Sequence, residues 1–437
     1  MKQESLKRRR PAARKRGRKQ TLRAVVLSVL TVSVIALCLG IWTKLPGEDL
    51  PVGGIEPPEG AVSPAPASSI APPESEPEPQ PVVETIRFSA TGDNLIHSPI
   101  YNQAARRAGE TGKYSFDYCY EHIAPFYAEQ DVNWINQETL CSDTLAPSTY
   151  PSFSTPGDCA RALYRAGVRV FSLSNNHTYD KGASGIAATL QFWESMPEDV
   201  VTTGLWRGEE DYDHIPLQTV NGVTIAYLSY TEHTNGIRQN KNMTANVIYT
   251  SQTDVIERQV RLARQQADFV VVGVHWGVED SHAIVDSQRT LAQNLADWGA
   301  DVIVGTHPHV LQDAQWLTAA DGRRSFVAFS LGNFLSTQSR PDQLVGAILT
   351  LQLQKTTQPN GSVQCEVLEP QLHPTVTHYD AGKTNVRTYF LSDYTQELAA
   401  AHGVRANYSD FSLDRIQKIA QNNISASFLS QDNISAT

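Results

Sequence analysis

Several short apolar runs in this sequence are followed by carboxylate, carboxamide or imidazole side chains, which are the best candidates for chemistry. These candidates are Asp93, Glu138, Asn176, His177, His275, His307 and His309. Carboxylates and imidazoles with an amide oxygen suit divalent ions such as Mn²⁺, Fe²⁺ or Zn²⁺. A bridging carboxylate can hold two such ions about 3.5–4 Å apart. The sequence therefore predicts a site for divalent metal, with one or two ions.

The segment His307-Pro308-His309 carries the most weight among these candidates. We expect it to be extended, because side chains two residues apart in an extended chain share a side. Proline between them would stiffen the pair. Both imidazoles could then reach one metal site.

Each candidate taken alone also has an ordinary structural explanation. Asp93 follows a glycine and could be a turn residue or a helix N-cap. Asn175 and Asn176 could form a left-handed turn. The metal interpretation depends on the coincidence that nearly all of the predicted strand ends carry such groups.

Short apolar runs of the kind that form buried strands recur along the chain. They are residues 83–90, 168–173, 223–230, 269–274, 302–304 and 326–331. Helical patterns occupy residues 157–166, 186–194, 254–266 and 287–298. This alternation predicts an α/β domain, in which ligands bind at the carboxyl ends of the strands.

The pattern changes after residue 344. Residues 344–353 and 363–368 alternate like antiparallel strands and are separated by Pro359-Asn360-Gly361, a turn sequence. Residues 411–424 have the pattern of an amphipathic helix. We place the α/β domain at residues 83–385 and a C-terminal extension at residues 386–437.

The N-terminal region predicts a membrane anchor. Residues 1–23 carry a local charge of +10, and no charged residue occurs between Ala24 and Trp42. We therefore expect a cytoplasmic basic tail (1–23), a single transmembrane signal anchor (24–43) and the main domain outside the membrane. No signal-peptidase site follows the apolar run, which argues against cleavage. The residue before Cys38 is not small, which argues against lipidation. Residues 44–82 are rich in Pro and Glu and predict a disordered linker.

Charge and cysteine content exclude several classes of protein. The net charge is −10, so the chain beyond residue 23 sums to about −20, which argues against a nucleic-acid partner. No Cys-x-x-Cys pair is present, so a thiolate zinc site is not expected. The sequence leaves open whether Cys119, Cys141 and Cys159 form disulfides.

Six motifs in order make the sequence resemble a known family. They are Gly92-Asp93, Asn136-Gln137-Glu138-Thr139, the segment 172–182 around Asn175-Asn176-His177, Val274-His275-Trp276-Gly277-Val278-Glu279, the segment 304–312 around His307-Pro308-His309, and Ser330-Leu331-Gly332-Asn333-Phe334. This set resembles the bacterial capsule-synthesis CapA family, which includes the PgsA-type proteins of poly-γ-glutamate production. The resemblance implies a metallophosphoesterase-like, layered α/β/β/α domain that is anchored outside the membrane.

The resemblance also implies roles for individual residues. Asp93 and His309 would bind a first ion, Glu138 would bridge two ions, and Asn176, His275 and His307 would bind the second. His177 would be the catalytic proton donor. His97, Asn175, Asp180, Trp276, Glu279 and Asn333 would orient these ligands or line the substrate pocket. The chain departs from the dimetal phosphoesterases at Leu95, where they have a histidine, and at Glu138, where they have an aspartate.

Three functions fit this resemblance. The first is a metal-dependent hydrolase of capsule or poly-γ-glutamate biosynthesis or export. The second is a non-catalytic partner of a membrane synthase that binds an anionic polymer or its precursor. The third is a cell-envelope metallophosphatase unrelated to capsule.

Overall fold

Two β-sheets form the centre of the protein in a computed structural model that describes residues 79–430. The first sheet has the strand order β16-β15-β14-β1-β2-β5-β6, and β13 pairs with β1. Its strands are β1 (Val82–Asn94), β2 (Val132–Asn136), β5 (Val170–Ser172), β6 (Val201–Thr203), β13 (Asn333–Leu335), β14 (Val345–Thr357), β15 (Val363–Asp380) and β16 (Thr384–Phe390).

The second sheet has the strand order β11-β12-β10-β9-β8-β7. Its strands are β7 (Leu217–Val220), β8 (Val223–Thr231), β9 (Phe269–His275), β10 (Val302–Thr306), β11 (Leu311–Thr318) and β12 (Arg324–Leu331). A separate two-stranded pair joins β3 (Cys141–Ser142) and β4 (Thr155–Pro156).

The helices connect these strands. They are α1 (Ser98–Ala108), α2 (Asp117–Tyr120), α3 (Ala124–Ala128), α4 (Asp158–Ala166), α5 (Gly182–Glu194), α6 (Thr253–Gln266), α7 (Asp286–Trp298), α8 (Gln396–Ala401) and α9 (Leu413–Asn423). Short 3₁₀ turns occur at residues 209–211, 341–344, 391–393 and 403–406.

Alternate residues of the central strands enter two different cores, because successive side chains in a strand point to opposite faces. In β8, Ile225 and Tyr227 belong to the large core that includes the first sheet. Leu228 and Tyr230 belong to the core that includes α6 and α7. Both faces of the second sheet are therefore buried, which explains why its strands are continuous apolar runs.

The parallel strands align their carboxyl ends. In the first sheet β1, β2, β5 and β6 are mutually parallel neighbours, and in the second β8, β9, β10 and β12 are. All six predicted apolar runs are strands, and the four predicted helices are α4 to α7. The mixed α/β fold expected from the sequence is thereby confirmed.

The region after residue 344 is antiparallel, as predicted. β14 and β15 pair from Val345 with Val376 to Thr357 with Val363, and the turn at residues 358–362 joins them. The predicted helix at 411–424 is α9. Strand β16 crosses residue 385, the expected limit between the α/β domain and its extension.

One strand that supports the candidate site was not among the predicted runs. β2 is short and contains two asparagines, so an apolar-run criterion misses it. Both asparagines are buried and hydrogen-bonded: Asn133 donates to the carbonyl oxygens of Tyr127 and Gly167, and Asn136 donates to Asp93. Amide N–H groups that find acceptors can occupy a buried strand. The Oδ1 of Asn136 has no hydrogen-bond partner among residues 79–430.

The predicted anchor at 24–43 and nearly all of the predicted linker at 44–82 lie outside the described residues. Within residues 79–430, no helix has both the length and the apolar character that crossing a membrane requires. The four cysteines of the described residues, Cys119, Cys141, Cys159 and Cys365, are free thiols.

Gly273 provides a test of the packing between the sheets. A Cβ at this position would lie 2.7 Å from Cζ2 of Trp134, which reaches across from β2. We expect Gly273→Ala to reduce the free energy of unfolding by about 1–3 kcal/mol through overpacking. Trp134→Phe should recover part of that loss in the double variant, since it removes the colliding ring atom. Urea unfolding of the four proteins measures the coupling, and strictly additive effects would contradict this packing.

Candidate metal centre

Three buried side chains from separate strand ends converge into one cluster. Asp93 is the second-last residue of β1, Glu138 follows β2, and His309 follows β10. One ligand atom from each lies within 4.8 Å of the others. The exposed fractions of Asp93 and Glu138 are 0% and that of His309 is 3%. The aligned carboxyl ends of the parallel strands bring together residues that are 216 positions apart in the chain.

Hydrogen bonds fix the orientation of Asp93. Its Oδ1 accepts from Nδ2 of Asn136 at 2.7 Å, and its Oδ2 accepts from the backbone N–H of His307 at 3.2 Å. The backbone N–H of Asp93 donates to the carbonyl of Gly332 at 2.9 Å. Gly92 permits this close approach, because a Cβ there would lie 2.1 Å from the same carbonyl oxygen.

The carboxylate of Glu138 lacks hydrogen bonds of this kind among the described residues. Both of its carboxylate oxygens are buried, and neither has a hydrogen-bond partner among residues 79–430. Oε1 lies 3.7 Å from Nε2 of His275 and 3.7 Å from Nε2 of His309. Burial of an unpaired carboxylate is costly, so a cation that both oxygens could ligate would satisfy this site.

A second group of ligand atoms adjoins Glu138. Nε2 of His275 lies 3.1 Å from Oδ1 of Asn176 and 3.1 Å from Nδ1 of His307. The other ring nitrogen of His275 lies 3.0 Å from Oγ1 of Thr306. Glu138 is therefore flanked by His309 on one side and by the Asn176, His275 and His307 group on the other.

The His307-Pro308-His309 segment is not extended, so that expectation is wrong. His307 has φ of 99° and His309 has φ of 61°, both in the left-handed region that non-glycine residues rarely adopt. The hydrogen bond from the His307 N–H to Asp93 holds this bend. The two imidazoles still reach the cluster, with ring centroids 6.1 Å apart. Strained backbone at such positions is common where it presents functional groups.

Burial and mutual charge shift the pKa values of the carboxylate and the imidazole of this cluster. Burial raises the pKa of Glu138 well above its ordinary value. Burial opposes the charged form of His309, but the carboxylates of Glu138 and Asp93 raise its pKa to about 10. Burial is thus the main cause of the raised pKa of Glu138, whereas the two neighbouring carboxylates cause the raised pKa of His309.

The other two histidines are held neutral, which is the form that binds a metal. Burial, followed by the neighbouring His307 and His309, lowers the pKa of His275 well below its usual value. Burial and the neighbouring His309 and His233 lower the pKa of His307 to about 2.

His177 lies at the edge of these groups and is held by Asp180. Nδ1 of His177 lies 2.8 Å from Oδ2 of Asp180, and that oxygen also accepts from the backbone N–H of Phe153. The ring of Phe153 contacts His177 edge-on, with centroids 4.7 Å apart. A carboxylate can only accept, so Nδ1 of His177 is the donor and Nε2 is left free.

Three other predicted residues support the cluster from outside. Oδ1 of Asn333 lies 3.1 Å from Nδ1 of His309. Oδ1 of Asn175 accepts from the backbone N–H of His177 at 3.0 Å. Nδ1 of His97 accepts from the N–H of Thr337 at 3.3 Å, and burial lowers its pKa to about 3.

Trp276 and Glu279 were expected to line a substrate pocket. Trp276 is instead buried in the core between the second sheet and its helices, where Nε1 donates to the carbonyl of Phe329. Its indole packs against Phe329, so it contributes to packing. Glu279 is exposed and contributes negative charge near Glu138 and His309.

Sequence reasoning missed four residues of this region. Asn136 hydrogen-bonds to Asp93, and Thr306 hydrogen-bonds to His275. Asn136 lies two positions before a predicted ligand, and Thr306 lies one position before another. Asn235 contacts Nδ2 of Asn176 through its Oδ1 at 3.4 Å, which fixes the amide so that the Asn176 oxygen faces His275. His233 packs edge-on against His307. The last two belong to a loop after β8 that contains none of the predicted site residues.

The fold and the site together define a class: a two-sheet α/β protein with a buried carboxylate–imidazole cluster suited to divalent cations. A family model described as bacterial capsule synthesis protein PGA_cap matches residues 87–338. The chain therefore belongs to this family, and the matched region contains every predicted site residue. The family predicted from the motifs is confirmed.

Two relatives and one solved structure extend the comparison. The capsule biosynthesis protein CapA of Bacillus anthracis is 31% identical over 236 residues, 52% of this chain and 55% of that protein. The PGA biosynthesis protein CapA of Bacillus subtilis (strain 168) is 29% identical over 261 residues, 59% of this chain and 66% of that protein. The chain thus spans less than two thirds of either relative.

Among solved structures, the NAD nucleotidase NadN of Haemophilus influenzae is similar, with a TM-score of 0.39 and 13% identity. The match covers 80% of this chain and 57% of that one.

Neutralising two buried acids, Glu138 and Asp301, should have opposite effects on stability and on the response to metal. Glu138→Gln should leave the melting temperature without metal unchanged or higher and abolish the rise that Mn²⁺ or Zn²⁺ causes in the wild type. That rise corresponds to about 2.7 kcal/mol at 100 times Kd. Asp301→Asn, which breaks the 2.6 Å pair with Arg264, should lose about 1–3 kcal/mol yet keep the response to metal. Calorimetry with and without chelator measures both, and an equal metal response in Glu138→Gln would contradict this assignment.

Proposed function

We propose that this protein is a metal-dependent hydrolase that acts in capsule or poly-γ-glutamate biosynthesis or export. The observation that carries the proposal is the buried, unpaired carboxylate of Glu138 beside Asp93 and His309. The names of the two CapA relatives support the biological process. The metallophosphoesterase-like architecture implied by the sequence motifs supports hydrolysis.

The ligands for the metal would come from both sides of Glu138. Asp93 and His309 would hold a first ion, and Asn176, His275 and His307 would complete a second group that shares Glu138. Divalent Mn, Fe or Zn fits these donors. Such an ion supplies Lewis-acid activation of water and of a phosphoryl or carbonyl oxygen.

The chain's own acid would be His177. Asp180 accepts a hydrogen bond from Nδ1–H of His177. In the imidazolium form, His177 would carry its second proton on Nε2 and would give that proton to a leaving group. Phe153 shields one face of the imidazole, and its N–H helps to hold Asp180 in place. The bond that is cut would be a phosphoester or an amide, since both need a protonated leaving group.

A non-catalytic role is the second candidate, and the burial of the cluster favours it. Asp93 and Glu138 have no exposed surface, so an ion bound there would be enclosed like a structural cation. The protein would then bind an anionic polymer or a precursor as a partner of a membrane synthase.

The location we propose follows from the sequence. A signal anchor at residues 24–43 would leave the basic tail in the cytoplasm, and the Pro-rich linker would hold the α/β domain outside the cell membrane. An anionic polymer and a membrane-bound synthase would be its partners there, with no nucleic acid. An envelope phosphatase with the same site but no link to capsule remains the alternative to this biological setting.

His177 separates the two candidates. We expect His177→Ala in the full-length protein to lower kcat about 10²- to 10⁴-fold without changing the bound metal. The assay measures Mn²⁺-dependent hydrolysis of glycerophosphocholine, whose alkoxide leaving group needs a proton, and shortening of poly-γ-glutamate. His214→Ala is the matched control, because His214 pairs with Asp211 at the same sequence spacing but on the surface.

Three results distinguish the outcomes. Loss of turnover in His177→Ala but not in His214→Ala supports hydrolysis. Bound metal with no turnover of either substrate, and normal polymer yield in cells that carry His177→Ala, would support the binding role. A wild-type protein that takes up no metal would overturn the hydrolase proposal.

A further inference from the structure

Two lysines near His177 have no carboxylate partner among the described residues. The ammonium of Lys181 donates to the carbonyl of Ser152 at 2.9 Å, and that of Lys383 donates to the carbonyl of Thr337 at 2.6 Å. Both side chains are partly buried. The third partly buried lysine of residues 79–430, Lys355, has Asp268 at 3.0 Å instead.

Lys181 is tied to the segment that carries Phe153. The Oγ of Ser152 donates to the carbonyl of Asp180 at 2.7 Å, and the N–H of Phe153 donates to the Asp180 side chain at 2.7 Å. With the Lys181 bond, three hydrogen bonds join residues 152–153 to residues 180–181. Because Asp180 also holds His177, Lys181 is fixed beside the proposed acid.

Lys383 is tied to the other side of Phe153. The ring of His97 contacts Phe153 edge-on, with centroids 5.3 Å apart. His97 accepts from the N–H of Thr337, and the carbonyl of Thr337 accepts from Lys383. Hydrogen bonds and ring contacts therefore link Lys181, Ser152, Phe153, His97, Thr337 and Lys383 in series, and we call this linked set the wall. His177 contacts Phe153 of this set, and the two lysines are its first and last members.

The charges argue for a ligand at this wall. The chain is acidic overall, yet among residues 79–430 each of these ammonium groups hydrogen-bonds to a backbone carbonyl and forms no ion pair. A partly desolvated cation without a counter-ion is unfavourable, and burial accordingly lowers the pKa of Lys383. An anionic ligand would supply the missing charges through strong, charge-assisted hydrogen bonds.

We propose that Lys181 and Lys383 bind anionic groups of the substrate at two points along the wall that carries His177. This inference rests on the proposed function and adds to it the two residues that would recognise the anionic groups, either carboxylates or phosphates. The metal ligands would act on the bond to be cut, and the two lysines would select its charged neighbours.

The test removes each charge but keeps a hydrogen-bond donor. Lys181→Gln and Lys383→Gln can still reach the same carbonyls, whereas Lys181→Arg and Lys383→Arg keep the charge. Lys113→Gln, at an exposed lysine, is the control. The full-length proteins are titrated calorimetrically with a γ-linked glutamate hexamer and with tripolyphosphate, each with Mn²⁺ and with chelator. The two probes distinguish carboxylate from phosphate recognition.

We expect each Gln variant to weaken binding of the preferred probe about tenfold and to reduce its salt dependence. The Arg variants and Lys113→Gln should bind like the wild type. Equal affinity in wild type and both Gln variants would overturn the inference, and so would a wild type that binds neither probe. Loss of binding in the Gln variants of a protein that shows no metal-dependent turnover would keep the anion site and reject only the hydrolase proposal.

Discussion

The carboxylate of Glu138 is the constraint on which the rest of the site depends. It has no exposed surface and no hydrogen-bond donor, although the protein satisfies the neighbouring Asp93 with an amide and a backbone N–H. An unpaired buried charge costs several kcal/mol. The surrounding residues supply imidazole nitrogens and an amide oxygen, which are ligands for a divalent cation. The geometry is therefore that of a ligand set.

The fold brings this set together by aligning strand ends. Asp93, Glu138 and His309 are far apart in sequence, and each lies just beyond or at the end of a parallel strand. Close backbone contact between Gly92 and Gly332 then sets the position of Asp93. A sheet sandwich with both faces of the second sheet covered provides the rigid support that such a site requires.

Much of this arrangement could be predicted from the sequence. The strands β8, β9, β10 and β12 are buried on both faces, so their apolar runs were visible, and the polar residues at their ends indicated the site. β2 was not visible because its buried Asn133 and Asn136 break the apolar run and donate to Gly167 and Asp93, which are distant in sequence. The bend at His307 and His309 was also hidden, since it depends on a hydrogen bond from His307 to Asp93. Trp276 could not be distinguished from a pocket residue until its packing against Phe329 was known.

The most direct test of the account is the metal content of the purified full-length protein. Inductively coupled plasma mass spectrometry compares wild type with Glu138→Gln after dialysis against Mn²⁺ or Zn²⁺. The account predicts one to two transition-metal ions per wild-type chain and a loss of at least one in the variant. Wild-type protein without bound metal, or equal metal content in a folded Glu138→Gln variant, would contradict it.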